Sequence, residues 1–464
     1  MNEISGFTYG RKNRRWERSV LEEGGLFLVG GIVRDILLGR AEEKVDADYL
    51  VTGIELERLI DILRPHGKID FVGKSFGVLK FREPGYESVD ISLPRNESST
   101  GPRHRDFNVS YDPFLPIEKD LVRRDFTINS MAIDLDGMML VDPLDGKSDL
   151  AAALLRVNRR ESFVEDPLRI IRGIQFMARL ELSVEKNTAV MMKKHSHRLR
   201  NISPERIRME LDKLLLLSER PSSAFIFMHE NSILDKILPE LEETWGVEQN
   251  EFHKYDLFTH SVMACDLAPP ELHLRLAALF HDLGKKSTRR EYKGKIVFYR
   301  HEEDSARSAA AIMRRLKYSN ELVDRVEHLI RHHMFFITEE WSDSAIRRFV
   351  ARVGVENVDD LMVLRMADGK SRGESGEETE NEVKYSMRRI EEVIRIDSAF
   401  KRSDLNINGK DLIKEIGLAE GRKIGFVLDK LLDSVLDDPA INTRDQLLKI
   451  ARKLYGDIKK GEFL

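Results

Sequence analysis

Short apolar runs with polar alternation come first along the chain, and longer runs of helical period come after. Between Leu26 and about Asp142 the segments LFLVG, DADYLV, KIDFVG, FGVLKF, VDISL and MMLVDP are separated by Gly, Pro and Asp, which predicts strands joined by turns. The segment from Arg95 to Lys119, rich in Ser, Arg, Pro and Asp, has no apolar period and predicts a loop. From Ser148 onward, in SDLAAALLRV and PLRIIRGIQFMARL, the spacing becomes helical, and it is expected to stay helical to the end. The acidic stretch DGKSRGESGEETENEV after Ala367 interrupts that pattern and is a candidate boundary. Three amphipathic helices with Gly stops are expected between Leu405 and Tyr455. The expected class is α+β: a mixed-sheet head over 1–145, then an elongated all-helical remainder in three parts, 146–245, 246–375 and 376–464.

Composition narrows this picture only a little. A chain of 464 residues with 41% apolar residues builds more than one core. There is no apolar run of membrane-spanning length, and the basic start RKNRRWER is not followed by an apolar signal core, so a cytoplasmic protein is expected. With Cys265 the single cysteine, any metal must sit on Asp, Glu and His. The net charge of −5 neither supports nor excludes a nucleic-acid partner, because phosphate contacts need only a local basic surface. Nine of the 13 histidines lie between His229 and His333, roughly three times an even spread, which marks that window for a His-based site.

Candidate chemistry falls in two places. Leu26 to Val29 runs into Gly30-Gly31 and IVRDILLGR, a strand, a glycine turn and a short helix that let backbone N–H groups approach phosphate, with Arg34 as a forked donor. Asp46 and Asp48, two apart in VDADYLV, point to one face of a strand, and Asp90 on another strand completes a carboxylate cluster suited to a divalent cation. In FVEDPLRIIRGIQFMARL a helix starting near Pro167 puts Arg169 and Arg172 on one side with Asp166 near its N-cap. An acceptor at Asp166 and donors at Arg169 complement cytosine and adenine and oppose the Watson–Crick faces of guanine and uracil. Further on, His260, the His281-Asp282 pair, His301, His332-His333 and Asp368 form a second set with metal-ligand character.

In order, LVGGIVRD with VDADYLV, RRDFTINSMA, EDPLR and SPERIRMELDKLL resemble the motifs of class II tRNA nucleotidyltransferases, the bacterial CCA-adding enzymes and their poly(A) polymerase relatives. The resemblance implies a nucleotidyltransferase head, a base-recognition and RNA-binding neck, and a tail that contacts tRNA through residues such as Lys410, Lys414, Arg422, Lys423 and Lys430. It implies template-independent CCA addition to the 3′ end of tRNA from CTP and ATP. Poly(A) addition, or addition of CC only or A only, are alternatives sharing the same motifs. Residue by residue, Asp46, Asp48 and Asp90 would be catalytic, the first two as Mg²⁺ ligands. Gly31, Arg34 and Arg124 would contact the nucleotide, and Glu165, Asp166, Arg169 and Arg172 would shape the base site. The H…HD…D order of His260, His281, Asp282 and Asp368 resembles HD phosphohydrolases, which implies a divalent metal and an accessory phosphohydrolase activity. One departure is visible: Gln175 stands where the family usually carries an arginine.

Overall fold

The LFLVG run becomes β1 (Gly25–Val29), an inner strand of a seven-stranded sheet. Its neighbours are β2 (Asp48–Thr52) and β8 (Ala132–Asp134), both antiparallel to it. With β3 (Lys68–Phe71), β4 (Val78–Arg82), β5 (Val89–Ser92) and β9 (Met139–Val141) the order is β3-β4-β5-β2-β1-β8-β9. Among the described residues of this sheet, only the β2–β5 pair is parallel. The structure is a computed structural model describing residues 14–40, 47–71, 77–99, 107–251, 253–373, 376–396 and 399–459. It divides into two compact units, Met1–Glu242 and Glu243–Leu464.

Alternation along β2 decides which side of the sheet carries chemistry. Tyr49 turns to one face, where Trp16 packs edge-on at 5.0 Å and also meets Phe81 at 5.3 Å, and its hydroxyl donates to Glu17 at 3.0 Å. Leu50 turns to the other face and joins Val29, Ile117, Leu121 and Ala132. Asp48, two residues before Leu50, shares that second face. Burying a large apolar side chain such as Phe81 stabilises this platform by about 2–3 kcal/mol. The strand edge bearing Asp48 is therefore held rigidly against the helix Ile117–Val122 side.

After the sheet, the first unit turns helical. The helix Leu168–Leu180 packs against Pro204–Leu217, which starts at Ser203 with Pro204 in its first turn. Gly173 explains how closely the first of these lies on the RRDFTINSMA segment: a Cβ there would come within 2.5 Å of the Phe126 ring and 2.7 Å of Met192. No larger residue fits without shifting one of them.

Two sequence expectations are corrected. The Arg95–Lys119 segment is not a loop: β6 (Arg95–Ser99) and β7 (Phe107–Tyr111) pair antiparallel, and a helix begins at Ile117. The alternation in FNVSY was hidden by its polar neighbours, and the buried Asp120 carboxylate ties the segment down through the Arg95 amide at 3.1 Å. The chain after Ser148 is not all helix: Leu154–Leu155 pairs with Ser183–Val184, and Arg289–Tyr292 pairs with Lys295–Phe298 as a hairpin. Lys293 and Gly294 take φ of +51° and +75° in that hairpin, the sign that tight two-residue turns demand. The acidic stretch does interrupt the helical pattern: one helix, Val358–Lys370, ends inside it and the next, Gly376–Ile396, begins there.

The second unit is otherwise helical. Leu257–Leu267 starts at Asp256, whose carboxylate accepts from the Thr259 amide at 2.9 Å. Leu272–Phe280, His301–Arg315, Asn320–His332 and Val358–Lys370 surround the His-rich sequence. The three expected tail helices are Gly409–Ile416, Arg422–Asp437 and Arg444–Lys459, sharing a core of Leu412, Val427, Leu431, Leu447 and Ala451. Gly417 ends the first of them at φ +72°. Arg347, on Asp343–Val353, donates to the final carbonyls Leu436 (2.6 Å) and Asp437 (3.0 Å), so the tail is pinned within its own unit. Among the described residues no helix is long and apolar enough to cross a membrane.

Candidate functional site

A cavity of about 610 Å³ in the first unit gathers most of the residues singled out from the motifs. Gly30, Gly31, Arg34, Asp48, Arg124, Asp166, Arg169 and Arg172 all line it. Gly30 takes φ +76° at the turn from β1 into the helix Gly31–Leu37. A Cβ there would come 3.3 Å from Arg124 Nη1 and 3.6 Å from Asp48 Oδ2, so glycine keeps the space between that cation and that anion open. Asp48 and Asp90 are register partners across β2 and β5. Register partners project to the same face of a sheet about 5 Å apart, so the two carboxylates share one acidic edge. Asp46 lies outside the described residues.

The arginines of the cavity are held in place by acids. Arg172 Nε donates to Asp125 at 2.6 Å, and Arg34 Nη1 donates to Asn129 at 2.7 Å. Burial would raise the Asp125 carboxyl, but Arg172, the Asn129 amide and Arg169 outweigh it and hold it below the usual carboxylate range. Burial pulls Arg34 below the usual arginine range, against the opposing pull of Asp35. The Phe176 ring receives Arg34 at 5.4 Å and Arg172 at 5.2 Å, which keeps the two guanidiniums apart. Asp166 is doubly anchored: it accepts from the Leu168 amide at 3.1 Å and from Arg206 at 2.9 Å. Arg169 donates to the Arg123 carbonyl at 3.3 Å. Glu165 does not line the cavity. It accepts from Arg159 at 2.7 Å and lies 3.6 Å from Arg169, so it braces the neighbouring arginine.

Asp125, Asn129, Gln175, Arg179, Glu210 and Lys213 also line the cavity. Gln175 stood out in the sequence as a departure from the family pattern, whereas Asp125, Asn129, Glu210 and Lys213 had not been singled out. Asp125 and Asn129 lie inside RRDFTINSMA, so the motif itself held the signal. Glu210 and Lys213 come from the SPERIRMELDKLL helix, where only the packing of two helices brings them to the wall.

In the second unit the His-Asp set converges on Asp282. Its Oδ2 lies 3.2 Å from His260 Nε2, 3.1 Å from His281 Nε2 and 2.7 Å from Lys285 Nζ. Its Oδ1 lies 3.2 Å from His301 and 3.8 Å from His333. Asp368 Oδ1 stands 3.4 Å from His260 and 3.7 Å from His281. The far nitrogens of these rings are fixed: His260 Nδ1 by the Ser371 hydroxyl at 3.0 Å, and His281, His301 and His333 Nδ1 by the carbonyls of Ala278, Phe298 and Ile330 at 2.8, 2.9 and 2.6 Å. Fixing Nδ1 aims Nε2 inward, which is how histidine is prepared as a ligand. Neither Asp282 oxygen has a hydrogen bond of good geometry. Two overlapping groups of donor atoms result, His253, His260, Asp282 and Asp368, and His281, Asp282 and His333.

The electrostatics of this cluster favour an added cation. Burial opposes charge on His281, yet Asp282 and Asp368 push its pKa up to about 10. Burial and Lys285 push His253 down to about 3, and burial and His281 push His333 down to about 3, so these rings stay neutral lone-pair donors. His253 and Lys285 were missed in the motif reading, and the crowding of histidines in that window was their only signal. His332 does not join: its ring meets that of His328 edge-on at 4.6 Å. The cluster opens on a cavity of about 520 Å³ walled by Phe298 and Tyr299 at the end of the hairpin and by Met334 to Phe336, with Arg365 and Arg372 on its rim.

Comparison with known proteins agrees with this arrangement. Residues 26–156 match the Poly A polymerase head domain, residues 181–244 a model described as "Probable RNA and SrmB-binding site of polymerase A", and residues 297–451 the tRNA nucleotidyltransferase domain 2. A Multifunctional CCA protein of Stenotrophomonas maltophilia is 38% identical over 320 residues, 67% of this chain and 75% of that protein. One from Xanthomonas oryzae is 33% identical over 87% of this chain and 96% of its own length. The fold is that of the Bacillus stearothermophilus CCA-adding enzyme in complex with CTP, with a TM-score of 0.71, 21% identity and coverage of 96% and 97% of the two chains. The Thermotoga maritima CCA-adding enzyme complexed with tRNA matches at a TM-score of 0.55 and 22% identity, over 95% and 93%. With its catalytic-head motifs, its matched segments and relatives above 30% identity along most of its length, the chain belongs to the class II CCA-adding tRNA nucleotidyltransferase and poly(A) polymerase family.

Proposed function

We propose that this chain adds cytidine, cytidine and adenosine to the 3′ end of tRNA from CTP and ATP. The observation that carries the reading is that Asp48 and the Asp166–Arg169 pair line one cavity, so one nucleoside triphosphate can offer its phosphates to the first and its base to the second. Relatives named Multifunctional CCA proteins support the same product.

The chemistry follows from the residues present. Asp48 and Asp90 offer hard oxygen donors on one shared face, a set that suits Mg²⁺, and the family resemblance adds Asp46 as a further ligand. When bound, the ion offsets charge on the triphosphate and on the attacking 3′ oxygen. Attack by that oxygen forms a bond to the α-phosphorus while the bond to the β-phosphate bridge breaks and pyrophosphate leaves. The open turn at Gly30-Gly31 lets phosphate approach backbone N–H groups, and Arg34 and Arg124 supply guanidinium donors. Asp166 accepts from the exocyclic amine of cytosine or adenine, and Arg169 donates to the ring nitrogen. Arg206 need not let go, because a carboxylate oxygen has lone pairs for more than one donor. Residues 1–145 would then be the catalytic head, 146–245 the base-reading neck and 376–464 the part that holds the tRNA body.

We also propose that residues 246–375 form an HD-type metal centre with phosphohydrolase activity. His260, His281, Asp282 and Asp368 would hold a divalent ion, with His253 in donor reach of His260, Asp282 and Asp368, and His333 in donor reach of His281 and Asp282. A bound ion would supply an activated water. Two assays test these readings. A tRNA lacking its 3′ CCA, offered each labelled nucleotide singly and together, should gain two residues from CTP and a third from ATP. Long tails from ATP alone would favour poly(A) addition, and products stopping at CC, or gaining only A, would favour the partial enzymes. Phosphate release from cyclic phosphodiester or nucleoside monophosphate substrates, in the presence of added divalent metal, tests the HD centre.

A further inference from the structure

The Leu168–Leu180 helix carries one polar group into the transferase cavity that neither the base-reading pair nor the carboxylate edge uses. Gln175 is 2% exposed and lines the cavity, and its Nε2 has no hydrogen-bond partner. A buried amide left without an acceptor costs about 1–3 kcal/mol, so its position needs a reason. Its place along the helix supplies one. Six residues at about 1.5 Å each put the Gln175 backbone about 9 Å along the helix from that of Arg169, toward Arg172 and Arg179 and away from the base-reading pair. Its helix neighbours at the wall are cationic or stack on cations: Arg172, Arg179, and Phe176, which receives the Arg34 and Arg172 guanidiniums. Glu210 is 4% exposed on the facing helix, with one oxygen on Lys213 at 2.9 Å and the other unpartnered, so the cation there is partly neutralised. An uncharged donor among guanidiniums suits an anionic oxygen without adding a further buried charge that would have to be balanced.

Resting on the proposed transferase reading, we infer that Gln175 Nε2 donates to a phosphate oxygen of the incoming nucleoside triphosphate, making it a base-blind positioning residue that sets nucleotide affinity. It acts on the part that CTP and ATP share. It therefore governs how tightly both are held and leaves the choice between them to Asp166 and Arg169.

The test uses Gln175→Met, which keeps the side-chain length and removes the donor, and Gln175→Glu, which keeps the shape and adds a negative charge. Equilibrium binding of CTP, ATP and inorganic tripolyphosphate is measured on the full chain with Mg²⁺, beside melting temperature and nucleotide KM and kcat. Loss of one donor to a charged phosphate oxygen predicts that Gln175→Met weakens all three ligands by about 10- to 150-fold, appearing in KM more than in kcat. Gln175→Glu should weaken them further. The ligand-free Gln175→Met protein should melt no lower than the parent, because replacing an unpartnered buried donor by an apolar group of the same shape removes a penalty. A structural role would lower the melting temperature and leave tripolyphosphate binding of the folded protein intact, and that result overturns the inference. So does weakening confined to CTP or to ATP, which would place Gln175 at the base. Tripolyphosphate and nucleotide binding need no transfer to occur, so the inference can fail while CCA addition stands, and an absence of nucleotide addition to RNA by the parent would instead strike the transferase reading.

Discussion

Replacing Asp166 by Asn reverses one hydrogen-bonding group at the base site while changing almost nothing else. Asp166 Oδ1 accepts from the Leu168 amide and Oδ2 faces Arg206, and the Asn carbonyl can keep the first contact, which turns the new NH₂ toward Arg206 and the base. The Arg206–Asp166 pair is 31% and 23% exposed, so its loss costs under about 1 kcal/mol, equivalent to a melting shift of a few degrees for a unit of this size. The effect on nucleotide choice is larger. A hydrogen bond to a charged acceptor contributes about 1.5–3 kcal/mol, so kcat/KM for CTP should fall about 10- to 150-fold at about 1.4 kcal/mol per tenfold. UTP presents a carbonyl where CTP presents an amine, so the variant should accept UTP relatively better. Single-nucleotide addition to a tRNA lacking CCA, with kcat/KM for CTP and UTP taken side by side, measures the ratio. An unchanged CTP-to-UTP ratio in a variant that melts normally would refute the idea that Asp166 reads the base.

Other outcomes follow from the same geometry. Asp48→Ala should reduce nucleotide addition by at least about 100-fold while tRNA binding, followed by gel shift, stays within a few-fold, because the acidic edge serves transition-state charge. Gly30→Ala places a Cβ between Arg124 and Asp48 at φ +76° and should cost about 1–3 kcal/mol in urea unfolding while raising nucleotide KM. Asp125 has a folded pKa below its unfolded value, so its contribution is present above the ordinary carboxylate range and is lost as pH falls through the lowered folded value. Asp125→Ala should accordingly flatten the acid side of the stability profile, and a profile equal to the parent's would show that Arg172 does not depend on it. His281→Ala should abolish metal-dependent phosphate release and lower bound metal by elemental analysis, while nucleotide addition persists in protein whose circular dichroism is intact. Loss of both activities in a folded variant would mean a single composite site.

Sequence reasoning reached what depends on local pattern. β1, β2, β4 and β5 follow from apolar runs cut by Gly and Asp, and the Gly30 turn follows from two adjacent glycines after a strand. The carboxylate edge was legible because period two places Asp48 opposite Tyr49, although its pairing with Asp90 depends on the parallel β2–β5 register, which no local pattern dictates. The β6–β7 pair was missed because β6 is polar throughout and the alternation of β7 is hidden by polar neighbours, and the Arg289–Phe298 hairpin because Arg, Glu and Lys occupy its exposed strand positions. Glu210 was missed for another reason: it becomes a wall of the cavity only when the Pro204–Leu217 helix packs on Leu168–Leu180. His253 lacks a neighbouring Asp in the sequence and reaches the cluster through its fold, where its ring meets that of His260 at 4.9 Å.

The central claim is that side chains of one cavity choose the base with no nucleic-acid template. The most direct measurement gives the protein a tRNA lacking its 3′ CCA together with equal concentrations of all four nucleoside triphosphates and Mg²⁺, and sequences the extended ends. The account predicts a product that stops after three residues reading C, C, A, with U and G rare at every added position. Ends that run on in A, or that carry the four bases in proportion to supply, would contradict it.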